Sequence, residues 1–170
     1  MSAYAHSAEA ATVIDAAPEA VFDFLDDQAN LSAHMSEPSA MMLGTTMSIH
    51  MEDDHTRSVG SRFGFEGRVL GVPLKVEEIV TSRTPPRTKA WETTKEPVLW
   101  VMGQYAMRFT LVPMAGGASL SVRIDYNDPT TFLPRLLGVM FGRLYAKWCV
   151  GQMCTDASRH FSSSGPKAAR

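Results

Sequence analysis

The spacing of apolar and polar positions switches along the chain between the period of a strand and that of a helix. Residues 10–15, Ala-Ala-Thr-Val-Ile-Asp, predict a short first strand. Pro18 then opens a helix, because its fixed φ and missing N–H suit a first helical turn. Val21, Phe22 and Leu25 give that helix an apolar stripe. Ala29 to Glu37 predicts a second short helix that stops ahead of Pro38. Beyond it the period becomes two. Ser61 to Val69 sets Phe63, Phe65 and Val69 on one side, and Arg62, Glu66 and Arg68 on the other. Gly71-Val72-Pro73 is a turn signal, and Leu74 to Thr81 returns as the next strand. Lys89 to Thr94 is a short strand after the Pro85-Pro86 break. Leu99 to Leu111 predicts a longer strand, with Leu99, Val101, Tyr105, Met107, Phe109 and Leu111 on its apolar face. Gly116-Gly117 turns the chain, and Leu120, Val122, Ile124 and Tyr126 alternate with polar residues.

After Asp128-Pro129 the period is helical. Leu133, Leu137, Met140, Leu144 and Trp148 recur at three- and four-residue steps and predict one apolar face. Pro134 sets the start of the regular part, since a proline cannot sit deep inside a helix. A helix from there to about Phe161 is roughly 40 Å long at about 1.5 Å per residue. Gly138 and Gly142 are four apart and share one of its faces, where they allow close contact with a sheet or leave room for a ligand.

The resulting architecture is α+β. A curved antiparallel sheet of about seven strands wraps around a long C-terminal helix, with two short helices after the first strand. A twisted sheet and a helix do not close completely on each other, and the gap is a cavity. Residues 1–9 and 162–170 read as tails around a single domain over 10–161.

Composition narrows the function classes. The chain has 170 residues, 45% of them hydrophobic and 20% charged, as in a soluble globular protein. Its formal net charge of −2 gives no electrostatic reason to expect nucleic acid. No apolar run reaches the length of a membrane span, so no stable membrane insertion is expected. The N-terminal residues lack a signal-peptide pattern, and cytoplasmic localisation is the default expectation. Cys149 and Cys154 are five apart on a helix, about 140° apart around its axis, and match no zinc motif. They read as free thiols. No phosphate-binding glycine loop and no nucleophile elbow occur. Neither a metal nor a cofactor is expected.

Three strings carry a family resemblance. They are Ala16-Ala17-Pro18-Glu19-Ala20-Val21-Phe22-Asp23-Phe24-Leu25, Val59-Gly60-Ser61-Arg62-Phe63, and Thr84-Pro85-Pro86-Arg87 followed by Ala90-Trp91-Glu92. In this order the chain resembles the START-like superfamily, also called SRPBCC, which includes birch-pollen-allergen-like and polyketide cyclase-like proteins. The resemblance covers residues 10–161 and implies a helix-grip fold with a hydrophobic pocket between sheet and C-terminal helix. Its members' functions range from lipid carriage to cyclisation and co-chaperone-like interaction, so the fold does not fix the activity.

By strand parity and helix stripe, the expected pocket walls are Phe63, Phe65, Trp91, Tyr105, Met107, Tyr126, Met140, Leu144 and Trp148. The candidate polar groups are Glu78, Tyr105 and His34. Glu78 faces inward if it stays in phase with Leu74, Val76 and Val80, and outward if a bulge interrupts the strand at Ile79. An inward carboxyl in an apolar cavity has a raised pKa and can act as acid or base. The 11 methionines, crowded at Met35, Met41, Met42, Met47 and Met51 and again at Met102, Met107, Met140 and Met153, fit either core filling or an adaptable pocket.

The expected function is binding, and carriage, of a small hydrophobic or aromatic metabolite by a monomer or homodimer. A polyketide aromatase/cyclase and a co-chaperone-like interaction domain are the alternatives. In this picture apolar burial dominates affinity, so Met140→Lys should cost more binding than Tyr105→Phe.

Overall fold

The computed structural model describes residues 4–35, 47–51, 56–69 and 72–163, without the side chains of Met35, Val69 and Val72. Strand β1 (His6–Ile14) leads into helices α1 (Pro18–Asp26) and α2 (Gln28–Leu31) and a 3-10 turn (Ala33–Met35). Strands β2 (Met47–Met51), β3 (Arg62–Val69), β4 (Val72–Thr84), β5 (Thr88–Thr93), β6 (Tyr105–Met114) and β7 (Gly117–Tyr126) follow. The chain then forms α3 (Phe132–Leu137), a π-helical turn (Gly138–Gly142) and α4 (Arg143–Ser163). The seven strands form one curved antiparallel sheet in the order β1-β7-β6-β5-β4-β3-β2, and α4 packs on β1 and β7.

Several boundaries differ from the sequence expectation. β1 begins at His6, so residues 6–9 are strand rather than tail; they pair with β7 from His6↔Tyr126 onward. A ladder needs only backbone partners, which small and polar residues supply as well as apolar ones. The second helix breaks at Ser32 into α2 and the 3-10 turn, and Glu37 lies outside the described residues, as do Met41, Met42 and His55. β6 begins at Tyr105, not Leu99. Val98 bridges to Lys75 of β4, and Gly103 N–H donates to Asn127 O at 2.8 Å. A Cβ at Gly103 would stand 2.6 Å from Asp128 O. These ties fold residues 99–104 into a loop against the last helix.

The long helix is present from Phe132 to Ser163, but its inner face is not the expected one. Leu133 and Met140 are each 63% exposed and Leu144 is 57% exposed. The buried positions are Gly138, Gly142, Ala146, Cys149, Val150, Met153, Cys154 and Ala157. Glycine holds the first part of this face because the helix there runs almost against the backbone of the 99–104 loop. A Cβ at Gly142 would stand 2.8 Å from Val101 O, and one at Gly138 only 2.7 Å from Pro129 Cδ. Large side chains cannot enter so narrow a space, and Phe132, Leu133, Leu136, Val139, Met140, Phe141 and Leu144 face outward.

β4 carries the bulge, between Val80 and Ser82, two residues beyond Glu78. Leu74, Val76, Glu78 and Val80 therefore stay in one phase and all are buried. Past the bulge the parity changes, and odd-numbered Arg83 turns toward Asp26 at the end of α1. Arg83 donates two parallel hydrogen bonds to that carboxylate, Nε to Oδ1 at 3.0 Å and a terminal nitrogen to Oδ2 at 2.7 Å. Lys89 of β5 is fully buried, stands 3.2 Å from Asp26 Oδ1 and donates to Thr56 Oγ1 at 3.1 Å. This cluster fastens α1 to the sheet.

Candidate functional site

Strand alternation aims one row of side chains from β3, β4, β5 and β6 toward α4. On β5, Lys89, Trp91 and Thr93 point inward while Thr88, Ala90 and Glu92 point outward. Register places Phe63 opposite Glu78 and Trp91 opposite Met107. Between this concave face and the helix lies a cavity of about 30 Å³, close to the room one water occupies. Phe65, Val76, Trp91, Met107 and Ile124 form the sheet wall; Tyr145, Cys149 and Met153 form the helix wall. Leu99 and Met102 close one end from the loop, and Gln28 and Ser32 approach from α2. Glu78 and Tyr105 also face it.

The walls are mostly apolar, so the polar groups stand out. Glu78 is 1% exposed. Burial pushes its carboxyl up to about 8, although the Tyr105 hydroxyl and the Trp91 indole face it as donors and pull the other way. Among the described residues its Oε2 has no hydrogen-bond partner, nor has Gln28 Oε1. Burial, with the Glu78 charge next, pushes the Tyr105 hydroxyl well above its ordinary range. At neutral pH the cavity thus holds a protonated acid, which can donate a hydrogen bond, and an unpartnered amide oxygen, which can accept one. Three methionines, Met102, Met107 and Met153, line it. Their unbranched thioethers can rearrange around a guest larger than the present volume.

Of the pocket residues expected from the sequence, Phe65, Trp91, Tyr105 and Met107 lie in the wall, and Glu78 faces inward with them. Phe63 and Tyr126 are buried outside this wall. Tyr126 packs on the His6 ring instead, at a centroid distance of 5.2 Å. Trp148 is half-buried and meets the His34 ring edge-on at 5.5 Å. Met140 and Leu144 are corrected: they sit on the solvent face of the helix and cannot line the cavity. His34 is buried, one layer behind the wall, where Cys149 separates it from the cavity. Gln28, Ser32, Tyr145 and Cys149 escaped the sequence reading, whereas Met102 and Met153 are among the methionines it left open between core and pocket. The helix residues among them follow from the face that Gly138, Gly142 and Ala146 define. Gln28 carries no comparable signal.

Comparison with known proteins agrees with this architecture. A family model described as "Polyketide cyclase / dehydrase and lipid transport" matches residues 5–154. No curated protein sequence matches the chain significantly. A Thermus thermophilus protein of solved structure is 13% identical, with 95% of this chain and 100% of that one covered at a TM-score of 0.67. The Zhui aromatase/cyclase of Streptomyces is 12% identical over 96% of this chain and 98% of its own, also at 0.67. Norcoclaurine synthase from Thalictrum flavum is 11% identical over 91% and 85%, at 0.63. At these identities the structures establish the helix-grip fold and nothing finer. With the family model covering nearly the whole chain, the protein belongs to the polyketide cyclase/dehydrase and lipid transport family of the START-like superfamily.

Proposed function

We propose that the protein binds a small hydrophobic or aromatic metabolite carrying at least one polar group, in the cavity between sheet and α4. The observation that carries this reading is Glu78. A carboxyl 1% exposed, with one oxygen unpartnered among the described residues, costs the fold several kcal/mol whenever it ionises. Tyr105 and Trp91 meet only part of its hydrogen-bonding capacity. A guest with a carbonyl, phenol or hydroxyl group meets the rest, while Trp91, Met107, Met153 and Ile124 enclose its apolar body. Burying about 200 Å² of apolar ligand surface contributes on the order of 5 kcal/mol before binding costs.

The same pair supports an aromatase/cyclase reading. An acid held near pH 8 and a buried tyrosine beside it are suited to moving a proton on a bound polyketone-like substrate, with the cavity fixing its fold. Native mass spectrometry of the purified protein tests the binding reading: a retained small molecule, or one aromatic probe taken up per chain, is expected. Turnover of a model polyketone that Glu78→Gln abolishes, without loss of probe binding, selects the cyclase. A wild-type chain that takes up no apolar probe contradicts both.

A further inference from the structure

On the helix side of the cavity stands a group of three side chains that ligand binding does not require. Cys149 lines the cavity, and its Sγ lies 3.7 Å from His34 Nε2. The other ring nitrogen of His34, Nδ1, lies 3.6 Å from Asp156 Oδ2. Cys149 and Asp156 are seven residues apart on α4, two turns along one face. His34 arrives from the 3-10 turn, and Trp148 holds its ring edge-on at 5.5 Å. Nδ1 and Oδ2 have no closer partner among the described residues, so each is the other's natural mate. With Nδ1–H directed at Asp156, Nε2 is left facing the thiol. Burial pulls the imidazole down, but Asp156 and the Cys149 sulfur outweigh it and push His34 up to about 9.

We infer that Cys149, His34 and Asp156 form a nucleophilic triad that accepts acyl groups from thioesters with an apolar acyl chain. The arrangement has the three parts such chemistry needs: a nucleophile, a base in contact with it, and a carboxylate that orients the base. In the reaction the neutral form of His34, which gains population as pH rises toward about 9, takes the Sγ proton on Nε2 while Sγ bonds to the carbonyl carbon of R–CO–S–R′. The tetrahedral intermediate then breaks its bond to the R′ sulfur, and His34 returns the proton to the departing thiolate. The products are acyl-Cys149 and free R′–SH, with no oxidant or reductant involved. Tyr145, which lines the same wall, is a donor available to the carbonyl oxygen, whereas Tyr105 is engaged with Glu78. Asp156 is a positioning residue; it acts only through His34.

This inference rests on the cavity reading above, because the acyl chain is to occupy that cavity. Cys154 supplies an internal comparison. It is 5% exposed against 6% for Cys149, and burial pushes its thiol up to about 11. It lies on the other flank of α4, toward β1.

The test uses the full-length protein and the hexanoyl thioester of N-acetylcysteamine, with peptide mass mapping over time. Acylation of Cys149 is expected at least about 100-fold faster than that of Cys154, and His34→Gln should slow it by about the same factor. Asp156→Asn should cost about 10-fold and move the pH profile of the acylation rate, with Asp156→Glu restoring part of both. A purely structural His34–Asp156 pair would leave that profile in place. Equal labelling of the two cysteines, no labelling, or a rate indifferent to His34 overturns the triad. The cysteine comparison is made within one unaltered chain, so a variant that fails to fold cannot conceal the answer. Titrating the same wild-type sample with an apolar fluorescent probe separates the two readings. Binding without acylation removes the triad alone, and no binding removes the cavity reading as well.

Discussion

Asp26 and Glu78 are both almost wholly buried, at 2% and 1% exposure, and the protein treats them in opposite ways. Burial raises both carboxyls. At Asp26 the Arg83 fork and the Lys89 ammonium outweigh it and hold the group below the ordinary carboxylate range. At Glu78 no cation among the described residues opposes burial, and the group rises to about 8. The first cluster is closed: Asp26 faces two cations, Arg83 of β4 and Lys89 of β5, and Lys89 also reaches Thr56. The second is open, with an oxygen left for something else. Opposite compensation in one fold separates a buried charge that holds elements together from one left uncompensated.

The largest expected effect breaks the closed cluster. Asp26→Ala leaves Lys89 fully buried without its carboxylate, which should cost about 3–5 kcal/mol in a urea unfolding experiment. A loss below about 1 kcal/mol would mean that the cluster does not hold the helix to the sheet.

The comparison sharpens with pH, because the two acids drive stability in opposite directions. Asp26 has a lowered folded pKa, so its contribution is present above the unfolded value of 3.8 and is lost as pH falls through the folded one. Glu78 has a raised folded pKa, so its contribution is fully present below 4.5 and is lost as pH rises through about 8. His34, raised from 6.5 to about 9, acts in the same direction as Glu78. Between pH 5 and 9 the Glu78 share amounts to about 4 kcal/mol. Wild-type stability should therefore decline across this range, and Glu78→Gln should flatten the decline by about that amount. Parallel curves for the two proteins would show that Glu78 is not held neutral by the fold.

A smaller effect separates the two faces of the last helix. Met153→Lys puts a charge into the cavity wall and should abolish uptake of an apolar probe. Met140→Lys should leave both probe affinity and stability within about 0.5 kcal/mol of wild type, since that side chain already stands in solvent. This overturns the expectation drawn from the helix stripe, in which Met140 was a central wall and Met140→Lys cost more binding than Tyr105→Phe. Loss of probe binding in Met140→Lys would restore that stripe as the inner face.

That reversal marks where the sequence stops being legible. Period-two alternation identified the cavity-facing row of β3, β5 and β6, because a strand has only two faces and Phe65, Trp91, Tyr105 and Met107 cannot share the wet one. It left Glu78 open, since one extra residue in β4 would have turned it out. The bulge exists, but it falls after Val80. The same alternation pairs Lys89 with Trp91 as an inward residue; its acidic partner on α1 carried no sequence mark. On the helix, hydrophobicity misled, because the rule that large apolar residues face inward assumes room for them. Contact with the Val101 carbonyl reserved the Gly138 and Gly142 positions of the inner face for glycine instead. The His34–Cys149–Asp156 group joins positions far apart in the chain across a 3-10 turn, and only the folded structure brings them together.

The most direct test of the open-cluster account is the affinity of a neutral aromatic probe as a function of pH, for wild type and Glu78→Gln. The groups that face Glu78 are Trp91 and Tyr105 from the sheet, with Tyr145 and Cys149 of α4 across the cavity. The variant retains all of them and lacks only the ionisable proton. The account predicts wild-type affinity that is constant at acid pH and falls at least about 10-fold as pH rises through about 8, while Glu78→Gln stays flat over the same range. Identical curves for both proteins would contradict it.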